Sequence, residues 1–180
     1  MIDILLATYN AEEHIEALLS SLQLQTFKNW RVLVHDDGSS DATIAIIKHY
    51  AAKDARIEVI EDGIQLKSAS GNFLHLLKHS TAPFVIFCDD DDIWLENKLE
   101  QLYLYISQKD NSIPQAVWCN SYVYYPEKAD IAGFATLFQG QLTLENTLFG
   151  NSGVQGCAIM FNDKLRTICQ QVPSKVAMHD

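Results

Sequence analysis

Apolar and polar positions fall in blocks along this chain, and the blocks alternate in period. Ile2–Thr8 is a short apolar run that ends in the polar residues Thr8-Tyr9-Asn10, the pattern of a buried strand. Over residues 11–24, Ile15, Leu18, Leu19 and Leu22 recur at i, i+3, i+4 and i+7, which predicts a helix. Trp30–Asp36 is the next strand. Gly38-Ser39-Ser40-Asp41 then supplies a turn and N-cap candidates for a helix with Ile44, Ile47 and Ala51 on one face. Residues 57–60 form a third strand and residues 61–70 a loop. A helix opening near Gly71 carries Phe73, Leu74 and Leu77. Phe84–Cys88, entered through Pro83, is the fourth strand. Residues 95–107 follow as an amphipathic helix with Leu99, Leu102 and Ile106 inward. Residues 117–125 read as a strand, 133–141 as a strand and turn, 142–149 as a short helix, and 158–161 as a late strand.

Regular strand–helix alternation predicts an α/β fold, with a Rossmann-like, mostly parallel central sheet and helices on both faces. A chain of 180 residues is most simply one such domain. Open sheets of this kind bind ligands outside the carboxyl ends of their strands. Three polar segments fall at such ends: Thr8-Tyr9-Asn10, Asp36-Asp37 and Asp89-Asp90-Asp91-Asp92. The last is the most informative. Crowded carboxylates are unfavourable unless something cationic meets them. Asp89 and Asp91, two apart on an extended chain, face the same way and can share one ion. Oxygen ligands with an open shell suit Mg²⁺ or Mn²⁺, with phosphate oxygens completing the coordination.

Charge narrows the field. With 13 basic and 23 acidic residues the formal charge is −10, and no window supplies the basic stripe of a nucleic-acid binder. Anionic membrane surfaces are disfavoured on the same ground, whereas an anionic small molecule can bind through a metal ion. Cys88, Cys119, Cys157 and Cys169 are widely spaced with no CxxC pair, so they read as small buried thiols in a reducing compartment. No signal-peptide pattern opens the chain and no apolar run is long enough to span a bilayer, which makes the cytoplasm the expected location. A GxGxxG fingerprint, a P-loop and an HExxH motif are all missing; His75 and His79 lie four apart, but Leu76 stands at the Glu position.

The segments Ile4-Leu5-Leu6-Ala7-Thr8-Tyr9-Asn10, Asp36-Asp37-Gly38-Ser39-Ser40-Asp41 and Cys88-Asp89-Asp90-Asp91-Asp92-Ile93-Trp94, with Gln25-Thr26-Phe27 between the first two, resemble the family 2 glycosyltransferases of GT-A fold. The D-x-D-D-x-W form is most similar to rhamnosyltransferase-like members. The resemblance implies a nucleotide-sugar-binding half (residues 1–107) and a partial acceptor-side half (108–180), cut short at the C-terminus relative to the family. It implies that Ala7, Thr8 and Tyr9 line the nucleotide base, with the Tyr9 ring packing on it, where the residue type alone allows a core aromatic. Asp37 would accept a hydrogen bond from the base and Asp36 would support it or the adjacent turn. On residue type alone, this pair reads equally as helix N-caps. Asp89 and Asp91 would hold the metal, Asp90 would face the ribose or sugar, and Asp92 would be left to cap the following helix. Lys67 or Lys78 would meet the diphosphate.

The same resemblance implies inverting transfer. Asp180, in the pair His179-Asp180, corresponds to the carboxylate that deprotonates the acceptor hydroxyl, and Gly156 and Cys157, with His179, would border the acceptor. The expected donor is a UDP- or dTDP-sugar, and the acceptor a glycan or lipid-linked sugar, met at the inner face of the membrane. Two rivals remain. One is a module that binds nucleotide-sugar without turnover. The other is a nucleotidyltransferase, which needs a Gly-, Arg- and Lys-containing loop that residues 7–13 do not provide.

Overall fold

A computed structural model describes residues 1–135 and 155–171. Its centre is a six-stranded sheet of β1 (Ile2–Thr8), β2 (Trp30–Asp36), β3 (Ile57–Val59), β4 (Phe84–Cys88), β5 (Ala116–Trp118) and β8 (Ile159–Asn162), in the order β3-β2-β1-β4-β8-β5. The β1–β2, β2–β3 and β1–β4 pairs are parallel, while β8 runs antiparallel to β4 and β5. The sheet is therefore mostly parallel, as its buried apolar strands require. A separate two-stranded ribbon pairs β6 (Tyr122–Tyr125) with β7 (Asp130–Phe134).

Side chains alternate across the central strands and build two cores. Ile2, Ile4 and Leu6 of β1, with Val32, Val34 and Ile86, face α1 (Ile15–Gln23), α2 (Thr43–Ala51) and α4 (Lys98–Ser107). Leu5, Ala7, Leu33 and Val85 face the other way, toward Phe73, Leu76 and Leu77 of α3 (Ala69–His79) and Leu165 of α5 (Asp163–Cys169). Every residue of β1 is buried, so both faces of the sheet are covered. Among the described residues no helix is long and apolar enough to cross a membrane.

Several boundaries differ from the sequence pattern, each for a local reason. α1 starts at Ile15 rather than residue 11, because the Ala11 and Glu12 N–H groups donate to Thr43 Oγ1 (2.7 Å) and Asp41 (3.1 Å) across the loop. α4 starts at Lys98 rather than residue 95, because the Leu95 carbonyl is taken by Gln25 Nε2 at 2.8 Å. α2 buries Thr43 and Ile47 most deeply, and Ile44 lies only half-buried, because the Thr43 hydroxyl is turned inward to hold Ala11. α3 opens at Ala69, two residues early, where the Ser68 hydroxyl accepts from Gly71 N, and it buries Leu76 rather than Leu74. The single strand expected over 117–125 is two, broken at Asn120-Ser121: β5 stays in the main sheet and β6 leaves it. The helix expected over 142–149, and residues 136–141 of the strand and turn before it, lie outside the described residues.

Among the buried polar groups, the carboxylate of Asp3 sits at the foot of the sheet. Asp3, fully buried in β1, accepts from Arg31 Nε (2.8 Å), Ser80 Oγ (2.8 Å), Thr81 N (2.8 Å) and Ala82 N (2.9 Å). Burial alone would raise its pKa, but the Arg31 guanidinium and the three further donors outweigh it and hold the carboxyl below its ordinary range. That contribution to stability is complete above the ordinary carboxylate range and is lost as pH falls through the depressed folded value. Removing one partner of a buried pair leaves the other uncompensated. Asp3→Ala is expected to lower unfolding free energy by about 3 kcal/mol in urea titrations at neutral pH. The difference from wild type should shrink on acidification; a constant difference across pH would contradict the charge-based account.

Candidate functional site

The carboxyl ends of β1, β2 and β4 lie side by side, and a cleft of about 680 Å³ opens there. Its walls include Ala7, Thr8 and Tyr9 after β1, Asp37 and Gly38 after β2, Asp89 and Asp90 after β4, and Lys67 from the loop before α3. The register explains the meeting: Thr8 is level with Asp36, and Leu6 with Cys88, so the next residues of all three strands reach the same edge.

Asp36 does not line the cleft. Its carboxylate accepts from Thr8 Oγ1 (3.0 Å), Gly38 N (3.2 Å), Ser39 N (2.8 Å) and the Ser39 hydroxyl, so it holds the β2 turn from behind. Neither Asp36 nor Asp37 caps α2; Asp41 instead accepts from Thr43 N at 3.0 Å. Gly38 has φ +92°, and a Cβ there would come within 2.2 Å of the Gln65 side chain, so the turn requires glycine.

Asp37 is buried, and its two carboxylate oxygens accept from Leu66 N and from Ser68 N (3.1 Å). The loop before α3 therefore wraps around this carboxylate, with Lys67 in the left-handed region at φ 53° and at the cleft wall. Lys78, the other candidate cation, sits exposed in the last turn of α3 and is not a wall residue. Tyr9 is 61% exposed, which excludes the core reading and leaves its ring face available.

The carboxylate run divides by environment. Asp90 accepts from Tyr9 N at 3.0 Å and ties β4 to β1. Burial, with Asp91 and Asp89 nearby, still raises its pKa. Asp92 is raised in the same direction, by burial first and then by Asp89 and Asp91, against the pull of Lys98. Asp92 does not cap α4, whose N-cap is Asn97; it turns back to Cys157, whose thiol donates to it. The Asp89 and Asp92 oxygens and Cys157 Sγ lie within 4.8 Å of one another. Burial, then Asp92 and Asp89, pushes the Cys157 pKa well up, so without an ion the sulfur stays protonated and donates to Asp92. What remains is an oxygen donor set with excess negative charge, which fits Mg²⁺ or Mn²⁺. Asp91 is exposed beside this group.

Three supporting residues were given no role by the sequence pattern, although Gln25 belongs to the Gln25-Thr26-Phe27 segment. Lys98 places Nζ 2.9 Å from the Cys157 carbonyl and 3.8 Å from the centre of the Trp94 ring, joining the segment after the carboxylates to the acceptor-side turn. Gln25, fully buried, donates to Leu95 O and accepts from Leu99 N at 3.1 Å, while Ser21 Oγ accepts from Trp94 N at 3.0 Å. The end of α1 thus clamps the segment that follows the carboxylates. Besides Gln25-Thr26-Phe27, the sequence signal was Lys98 four residues after Trp94, at a helix start. Gly156 and Cys157 are buried in a 3₁₀ turn entering β8. His179 and Asp180 lie outside the described residues.

Comparison with known proteins gives this geometry a context. The model for Glycosyl transferase family 2 matches residues 3–168. The Escherichia coli UDP-Glc:alpha-D-GlcNAc-diphosphoundecaprenol beta-1,3-glucosyltransferase WfgD is 40% identical over 100 residues, which cover 56% of this chain and 38% of that protein. The putative teichuronic acid biosynthesis glycosyltransferase TuaG of Bacillus subtilis is 31% identical over 104 residues, 56% of this chain and 40% of that one. The matching stretch is thus less than half the length of either relative. Among solved structures, S. aureus TarS 1-349 in complex with UDP-GlcNAc aligns with 59% of this chain and 31% of its own, at TM-score 0.51 and 32% identity. The mannosyltransferase PcManGT from Pyrobaculum calidifontis, in complex with GDP-Man and Mn²⁺, matches 97% of this chain and 48% of its own at TM-score 0.69; its 20% identity makes it a likeness of fold, here the GT-A fold.

The raised pKa of Asp92 carries a sign that can be checked. A carboxyl whose folded pKa exceeds its unfolded value weakens the folded state at neutral pH, and that penalty is relieved as pH falls through the folded value. With chelator present, Asp92→Asn is expected to raise the thermal midpoint at neutral pH and to flatten the gain seen on mild acidification. A lowered midpoint at neutral pH would show that Asp92 is compensated.

Proposed function

The chain belongs to glycosyl transferase family 2, and from that membership we propose that it transfers a sugar from a nucleotide-diphosphate donor to a lipid-linked or glycan acceptor with inversion. The observation that carries this reading is the convergence of Tyr9, Asp37, Lys67, Asp89 and Asp90 on one cleft at the carboxyl edge of the sheet.

In this reading the base lies on the exposed Tyr9 ring, against Ala7. Asp37 accepts from a base N–H through lone pairs left over after Leu66 N and Ser68 N, since two carboxylate oxygens offer about four acceptor sites. Lys67 faces the diphosphate. Asp89, with Asp91 or Asp92, holds Mg²⁺ or Mn²⁺, and Asp90 stays turned to the sugar side while fixing Tyr9. The bound ion supplies positive charge that stabilises the departing nucleoside diphosphate. Asp180 takes the proton of the acceptor hydroxyl as the new glycosidic C–O bond forms and the anomeric C–O bond to phosphate breaks on the opposite side. WfgD is named for a diphosphoundecaprenol-linked acceptor, which supports a lipid-linked acceptor for this chain as well.

Calorimetric titration of UDP, with Mn²⁺ or with chelator, tests the donor site. Wild type should bind UDP far more tightly with Mn²⁺, and Asp89→Ala should remove that dependence. Tyr9→Ala should weaken binding by about 10- to 100-fold, the range for losing one base–aromatic stack of ~1–3 kcal/mol. UDP affinity that ignores metal and both substitutions would overturn the assignment.

A further inference from the structure

A second polar cluster lies outside the cleft, on the face covered by α3. His35, near the end of β2, is 1% exposed, and Asp62 and His75 approach it from the loop after β3 and from α3. The cluster's protonation can be deduced. Asn72 Nδ2 donates to the His35 carbonyl at 3.1 Å, and a carbonyl can only accept, so the amide orientation is fixed. Asn72 Oδ1 therefore faces His35 Nδ1 at 2.7 Å as an acceptor, and Nδ1 must carry the proton. In the neutral ring this leaves a lone pair on Nε2, aimed at Asp62 Oδ1 only 3.3 Å away. An acceptor faces an acceptor at the buried His35 ring, so a cation belongs between them.

The other Asp62 oxygen lies 2.6 Å from His75 Nε2, and all three ligand atoms fall within 4.8 Å of one another. Two imidazoles and a carboxylate are a ligand set for zinc-class ions, and a ligating histidine characteristically gives its other N–H to a neighbouring acceptor, as His35 does to Asn72. Bonds of about 2.0–2.2 Å in a tetrahedron separate ligand atoms by about 3.3 Å, which is the His35–Asp62 spacing, while the 2.6 Å His75–Asp62 contact is a hydrogen bond that the ion would replace by a small shift of the His75 ring. The remaining position opens toward solvent at Asp62, with the His79 ring 4.9 Å from that of His75.

We propose that His35, Asp62 and His75 form a divalent-cation site of the zinc class, separate from the carboxylates at the end of β4. The site joins β2, the loop after β3 and α3. Its ion clamps the chain at Asp62, shortly before Gln65 and Lys67, which line the cleft. The inference does not depend on the transfer reaction, because none of its three ligands lines the cleft.

Zn²⁺ is titrated calorimetrically into the full chain with Mg²⁺ saturating the carboxylate run. One Zn²⁺ per chain is expected, weakened at least 100-fold by His75→Ala and retained in Asp89→Ala. Asp62→Asn, on an exposed loop, repeats the test without altering α3, and circular dichroism verifies that both variants fold. Zn²⁺ should also raise the thermal midpoint of wild type and not of His75→Ala. No Zn²⁺ binding, the outcome if a second proton on His35 fills the gap, would overturn the proposal, as would binding unchanged in both folded variants.

Discussion

Parallel pairing of β1 with both of its neighbours is the constraint on which the rest of the molecule depends. β1 is in register with β2 from Ile2↔Trp30 to Thr8↔Asp36 and with β4 from Ile2↔Phe84 to Leu6↔Cys88. A slip of one residue would send Ile2, Ile4 and Leu6 to the wrong core and Leu5 to the other. Because both faces are buried, the hydrophobic alternation fixes the register, and the register fixes which polar residues emerge together at the carboxyl edge. The cleft is a geometric consequence of the packing.

Charge is handled differently at the two ends of β1. At the amino end, Asp3 is buried and fully met by Arg31, Ser80, Thr81 and Ala82, and its carboxyl is held ionised. At the carboxyl end of the neighbouring β4, burial and then crowding by like charges raise the pKa values of Asp90 and Asp92. The first arrangement stabilises the fold. The second leaves charge unneutralised where a ligand with its metal can satisfy it, and this is the physical signature expected of a binding site.

Much of this was legible in the sequence where periodicity is strong. The bounds of β1, β2 and β4 follow directly from apolar runs ending in polar residues, and Leu99, Leu102 and Ile106 face inward as their spacing requires. Helix starts were misplaced where side chains from distant segments captured backbone groups, as Thr43 does with Ala11 and Gln25 with Leu95. Such long-range hydrogen bonds leave no local pattern. Asp36 was expected to support Asp37 or the adjacent turn, and the fold assigns it to the turn, through Thr8, Gly38 and Ser39. His35 gave no signal, because its partners Asn72, Asp62 and His75 are 27 to 40 residues away. The pairing of Asp92 with Cys157 was hidden by a similar separation.

The most direct test of the account is a crystal structure of the chain grown with UDP and Mn²⁺, with anomalous scattering recorded at the manganese edge. The account predicts one strong manganese peak against Asp89 and its neighbouring carboxylates, bridged to the diphosphate, with the uracil on Tyr9 and within hydrogen-bonding reach of Asp37. Nucleotide bound elsewhere, or manganese away from the end of β4 while UDP occupies the cleft, would contradict it.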